Sequence, residues 1–189
     1  MIWMLALSAC LPDIRGKLYE PFDTAGAKEA AKVAVEPDGA GVVKVVIDAT
    51  SASNWIFLDL DLETLEVEPD TAGWDIALSR QRIKLDGGVS GDAGVEVAVV
   101  EAARVEDVTT APADGYVTDL PDDDDENTEP EYAFDVWFDY NPENHVLTPK
   151  DLVFVVRSTD GLLYPVEVLS YYDDAGTSGF MSLRIGQPL

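Results

Sequence analysis

Trp74-Asp75-Ile76-Ala77-Leu78-Ser79-Arg80-Gln81-Arg82-Ile83-Lys84-Leu85-Asp86-Gly87-Gly88 is the stretch that decides the fold. Trp74, Ile76 and Leu78 alternate with Asp75, Ala77 and Ser79, the period of two that puts apolar groups on one face of a strand. Asp86-Gly87-Gly88 then supplies turn residues, because glycine accepts the positive φ that tight turns need. The same rhythm runs outward in both directions. Gly41 to Ile47 is rich in β-branched residues, Asn54 to Leu60 carries Trp55, Ile56 and Phe57, and Val95 to Val100 follows. Tyr132 to Tyr140 alternates, with Phe134, Val136 and Phe138 expected on one face and Asp135, Trp137 and Asp139 on the other. Leu152 to Val156, Leu162 to Tyr172 and Gly179 to Ile185 complete the set, with Asp38-Gly39 and Asp160-Gly161 as further turns. No long segment has a 3.6-residue period. The reading is all-β: an antiparallel β-sandwich or a meander.

The chain has 189 residues, enough for one domain or two small ones with a sizeable core. An apolar fraction of 47% is that of a globular protein. Charge is the outlier: 37 acidic residues stand against 12 basic ones, a formal net charge of -25. Nucleic acid needs a cationic footprint and is excluded as a partner. An anionic bilayer would repel this surface, so membrane attachment has to be covalent or hydrophobic.

The amino terminus offers such an attachment. Residues 1–9 form an apolar run too short to span a bilayer and read as an export signal. Leu7-Ser8-Ala9-Cys10 has the form of a bacterial lipobox, in which small residues expose the bond before a cysteine that carries diacylglycerol. Cys10 is thus expected to be the lipidation site. The competing reading is a buried thiol in an ordinary apolar segment. The basic n-region usual in such a signal is absent, which leaves the true translation start open. Leu11 after the cysteine resembles outer-membrane sorting, so an outer-membrane, lipid-anchored protein at the periplasmic face or cell surface is expected. Residues 10–36 read as a tether, although Ala25 to Ala34 could equally be a helical turn or two, or the first strand. Residues 37–189 form the β domain. Cys10 is the only cysteine, so an intramolecular disulfide is impossible.

Between Arg104 and Lys150 there is no Lys or Arg, and Asp119-Leu120-Pro121-Asp122-Asp123-Asp124-Asp125-Glu126 reads as a solvated surface loop. Consecutive aspartates diverge and no Asp-x-Asp-x-Asp-Gly pattern is present, so a specific calcium site is not expected. No Gly-x-Ser-x-Gly elbow, phosphate-cradling glycine loop or zinc-ligand spacing is present, and the chain is not read as an enzyme. His145, the single histidine, lies in Asn141-Pro142-Glu143-Asn144-His145-Val146-Leu147-Thr148-Pro149, a turn leading into a short extended segment. Two readings stand: an exposed turn histidine, or an axial haem ligand. In the mature chain the candidates for haem ligation are His145, Met181 and the tyrosines.

Several stretches together resemble the HmuY family of surface haem-binding lipoproteins. They are Asn54 to Leu60, Trp74 to Arg80, Arg82 to Gly91, Leu147-Thr148-Pro149, Val155-Val156-Arg157, Asp160-Gly161, Val168 to Tyr172, and Thr177-Ser178-Gly179 with Phe180 to Ile185. The resemblance spans roughly residues 42–185. It implies an all-β fold, an outer-membrane lipoprotein, and haem held between two hairpin arms for delivery to an outer-membrane receptor. Haem or a haemoprotein would then be the partner. That family's ligands come as two histidines or two methionines, whereas this sequence offers His145 and Met181. Beside the resemblance, Trp74 and Tyr171-Tyr172 read as core aromatics, and Gly87, Gly88 and Gly91 as turn positions needing unusual backbone angles. The alternative is a non-enzymatic surface lipoprotein that uses the same scaffold for another ligand or a protein partner.

Overall fold

A computed structural model describes residues 32–39, 41–61, 65–68, 72–123 and 129–189. The signal segment, Cys10 and nearly all of the tether lie outside them, as do Asp124, Asp125 and Glu126 of the acidic run. Residues 31–189 make one compact unit. Its strands are β1 (Val33–Pro37), β2 (Val42–Asp48), β3 (Ile56–Leu58), β4 (Glu66–Val67), β5 (Ile76–Ser79), β6 (Arg82–Leu85), β7 (Glu96–Val100), β8 (Phe138–Asn141), β9 (Val146–Pro149), β10 (Val153–Arg157), β11 (Leu163–Tyr172) and β12 (Ser178–Gly186). Two short 3-10 turns, Val105–Asp107 and Asp135–Trp137, are the only helical elements among the described residues. Among the described residues no helix is long and apolar enough to cross a membrane. The fold is all-β. Strand β1 starts inside the segment read as tether and shares only Val33 and Ala34 with the stretch, residues 25–34, given as an alternative first strand; residues 25–31 lie outside the described residues.

Every strand pairing is antiparallel. One sheet has the order β1-β2-β12-β11-β10-β7, the second β4-β3-β5-β6, and β8 and β9 form a separate hairpin. Both larger sheets feed one core. Val45, Ile47, Phe154, Val166, Met181 and Leu183 come from the six-stranded sheet, and Leu58, Ile76, Leu78, Ile83 and Leu85 from the four-stranded one. Strand β10 is buried along Val153 to Val156, because Val105 and Val108 cover its other side. A strand covered on both faces reads as a continuous apolar run instead of an alternation.

The stretch Trp74 to Leu85 is the β5–β6 hairpin, with Leu78 opposite Ile83 and Ile76 opposite Leu85. Its turn was not legible: Arg80 takes φ 56°, a left-handed conformation without glycine. The chain holds it there through Arg80 N–H donating to Ala49 O at 2.7 Å and the guanidinium donating to Thr50 O and Ser178 O. Of the three glycines singled out after β6, Gly88 alone has a positive φ, 64°. Gly87 and Gly91 are needed for close approach instead. A Cβ would stand 2.0 Å from Val95 O at Gly87 and 1.9 Å from Asp86 Oδ1 at Gly91.

Two sequence expectations are corrected. Tyr132 to Tyr140 is not one alternating strand, because Asp135–Trp137 is a 3-10 turn and the strand starts at Phe138. Three residues per turn bring Phe134 and Trp137 to the same side. Both are buried, and Val136 is 49% exposed. Asp119 does not belong to the surface loop either. It is fully buried, and its carboxylate accepts the N–H groups of Leu85 at 3.0 Å and Ala133 at 2.9 Å. The loop stem is closed by reciprocal N–H to O bonds of 3.0 Å between Leu120 and Glu131, and Asp122 and Asp123 are exposed beyond it.

Candidate functional site

The β8–β9 hairpin is anchored at its base and open at its tip. Trp137, at the base, is buried and donates its indole N–H to Gln81 O at 2.9 Å. Lys150 N–H returns to Trp137 O at 2.9 Å and closes the base from the other strand. Beyond it, Asp139, Tyr140 and Asn141 of β8 are exposed. The turn is built by asparagines. Asn141 Oδ1 accepts the Glu143 N–H, Asn144 Oδ1 accepts the Val146 N–H, and His145 N–H donates to Asn141 O at 2.8 Å. These bonds hold His145 at φ 58°.

That geometry places His145 against Tyr140. The Tyr140 hydroxyl is hydrogen-bonded to His145 Nδ1, and the two rings lie 5.9 Å apart at 38°. Tyr140 is 52% exposed and His145 is exposed too, so an imidazole and a phenol face solvent together at the hairpin tip. Nothing in the sequence pairs them except their five-residue separation across a turn. The β11–β12 hairpin stands beside this one. A bulge at Leu169–Ser170 breaks the β11–β12 register, sends Tyr171 into the core and leaves the Tyr172 hydroxyl to accept the Leu147 N–H at 3.0 Å. Two hairpin arms are therefore tied together at their flanks.

Met181, the other ligand candidate, lies elsewhere in the fold. It is fully buried on β12 opposite Ile47 and belongs to the shared core. Its thioether is enclosed by the core and has no solvent-facing surface. His145 and Met181 do not form a pair.

A carboxylate cluster escaped the sequence reading. Asp59, Asp61 and Asp75 bring one oxygen each within 4.8 Å of one another. The Asp59-Leu60-Asp61 alternation was its sequence signal. Asp75 is fully buried; its oxygens accept Leu60 N–H and Thr159 N–H, both at 2.7 Å. Burial, and then the neighbouring Asp61 and Asp59 charges, push the Asp75 carboxyl up to about 6. Asp61 Oδ1 accepts the hydroxyls of Tyr164 at 2.8 Å and Ser158 at 3.2 Å, while its Oδ2 is buried without a hydrogen-bond partner. On the outer face of the smaller sheet, the Lys84 ammonium sits over Trp55, Phe57 and Trp74 at 4.8, 5.2 and 5.0 Å from the ring centres. Trp74 is buried, as expected, but its role is to wall this cage and pack edge-on against Phe57.

An antiparallel scaffold with a packed core and polar, ligand-capable side chains on projecting hairpins defines a β-scaffold protein whose candidate site lies on its arms. Residues 51–184 match the family model of the HmuY protein, and the chain belongs to the HmuY family. Solved structures agree on the fold. The apo HmuY analogue of Tannerella forsythia superposes with a TM-score of 0.61 at 16% identity, covering 85% of this chain and 100% of that one. A Bacteroides vulgatus protein described as HmuY-like and haem-binding gives 0.60 at 20% identity, covering 84% and 98%. A Bacteroides fragilis protein described as a lipoprotein gives 0.60 at 19%, covering 82% and 95%. No curated protein sequence matches the chain.

Proposed function

We propose that this protein is a lipid-anchored haem-binding protein of the outer membrane that carries haem on its β8–β9 arm. The observation behind this reading is the solvent-facing Tyr140–His145 pair, an oxygen and a nitrogen donor of the kinds that ligate haem iron, on a projecting hairpin of an HmuY-family fold. When bound, haem would supply an iron centre that takes oxygen and nitrogen donors from the protein. The chain's own part is to present donors there without giving up core packing, and exposed residues on an anchored hairpin meet that need. Cys10 is the anchor, the residues between it and β1 hold the β domain away from the membrane, and an outer-membrane receptor takes the haem onward.

The test is a titration of the full chain with ferric haem, followed at the Soret band, beside the Tyr140→Phe/His145→Gly double variant. Saturable binding by the parent chain and its loss in the double variant are expected. Separately, Cys10→Ser should remove the acyl mass from the mature protein. A second reading, the same scaffold serving another ligand or a protein partner, is favoured by the core position of Met181, which leaves one histidine where the resemblance implies paired ligands. Absence of saturable haem binding by the parent chain would put that reading first.

A further inference from the structure

We infer that the bond to haem iron is made by the Tyr140 phenolate oxygen, that His145 is the residue positioning it, and that the haem taken is ferric. This rests on the haem-binding reading above. The companion arm is the first reason. The β11–β12 turn, Asp173 to Thr177, presents two carboxylates and one hydroxyl, and the nearest phenol on that arm, Tyr172, is half-buried with its hydroxyl accepting the Leu147 N–H. The exposed donors are then Tyr140 and His145, and an anionic phenolate binds ferric iron more strongly than a neutral imidazole does. Geometry is the second reason. His145 Nδ1 already faces the Tyr140 hydroxyl, and the His145 backbone is fixed by its bond to Asn141 O. The imidazole is thus held where it can take a hydrogen bond from the phenol or give one to the phenolate.

The step balances without a redox partner. The iron–oxygen bond would form as the water ligand of the ferric iron leaves, the phenol O–H would break, and the proton would pass to Nδ1 and from the exposed ring to water. Iron remains ferric throughout.

The experiment uses the full chain with ferric protoporphyrin IX, read by visible absorption and by resonance Raman scattering for an iron–phenolate stretch. The parent complex should show that stretch. Tyr140→Phe, which keeps the ring, should lose it and weaken binding at least about tenfold. His145→Gly, compatible with the positive φ, should keep the stretch at a shifted position and weaken binding roughly ten- to a hundred-fold. His145→Asn, which tolerates the same φ and restores a polar partner, should recover part of the loss. A parent complex without the stretch, or a Tyr140→Phe complex with unchanged spectrum and affinity, overturns the phenolate bond and leaves haem binding standing. Loss of binding in His145→Gly with Tyr140→Phe intact makes the imidazole the ligand, again without touching the haem reading. No saturable binding by the parent chain removes both.

Discussion

At the scale of single residues, burial separates chemistry from packing. Met181 and His145 are equivalent as candidates in the sequence, since each is a side chain that can ligate iron. Their strands distinguish them: Met181 faces Ile47 inside the core, and His145 caps an exposed turn. Replacing Met181 with Leu conserves volume and should cost under about 1.5 kcal/mol. Met181→Ala opens a cavity and should cost roughly 2–5 kcal/mol. Neither should change the haem spectrum, and a Soret shift in the folded Met181→Leu protein would restore the thioether as a ligand. Ile76 and Leu78 made the core side of β5 readable, whereas Trp74, in the same phase of the alternation, walls the outer-face cage around Lys84. The alternation could not reveal Asp75, a charged residue in the polar phase of the pattern that is fully buried because two backbone N–H groups and a loop close over it.

Among elements, the strands with simple hydrogen-bonding partners were legible and the irregular ones were not. Gly41 to Ile47, Leu162 to Tyr172 and Gly179 to Ile185 each contain or nearly coincide with a strand, since β-branched residues and flanking turn signals determine them locally. Tyr132 to Tyr140 misled because a 3-10 turn and a strand can both be written with apolar residues at short spacing. What decides is the third-residue coincidence of Phe134 with Trp137, and the Trp137 indole bonded to Gln81 O across the fold. The candidate arm depends on that tertiary contact. Trp137→Ala should therefore cost roughly 3–5 kcal/mol in chemical denaturation. Val136→Thr, on the exposed side, should stay within about 0.5 kcal/mol of the parent. Equal costs at the two positions would return the segment to the alternating strand.

For the whole molecule, strand order was beyond the sequence, because β12 lies between β2 and β11 and this is fixed by side-chain complementarity across more than a hundred residues. Net charge was legible, and with the buried carboxylates it sets the response to pH. Burial, helped by the Asp61 and Asp59 charges, raises Asp75 to about 6, against about 3.9 in an unfolded chain. Burial also raises Asp59, Asp86 and Asp119. A carboxyl with a raised folded-state pKa binds its proton more tightly when folded. Its stabilising contribution is complete below about pH 4 and is lost as pH rises through about 6. Glu106 acts in the opposite sense: its hydrogen bonds to Arg184 hold it at about 2, so its contribution is lost only as pH falls from about 4 toward 2. The two windows barely overlap, and repulsion within a net charge of -25 grows as carboxyls ionise. Stability should therefore fall from pH 5 to pH 7, with Asp75 contributing on the order of 1 kcal/mol. Added salt should raise the melting temperature more at pH 7 than at pH 5. Asp75→Asn cannot accept both backbone N–H groups and will be less stable at acid pH, so the absolute value is uninformative and the slope is the readout. Denaturant titrations at pH 5, 6 and 7 should give a shallower decline for Asp75→Asn than for the parent. A parent whose stability is flat or rises over that range, or a variant with the same slope, would show that Asp75 is ionised in the folded protein at no cost.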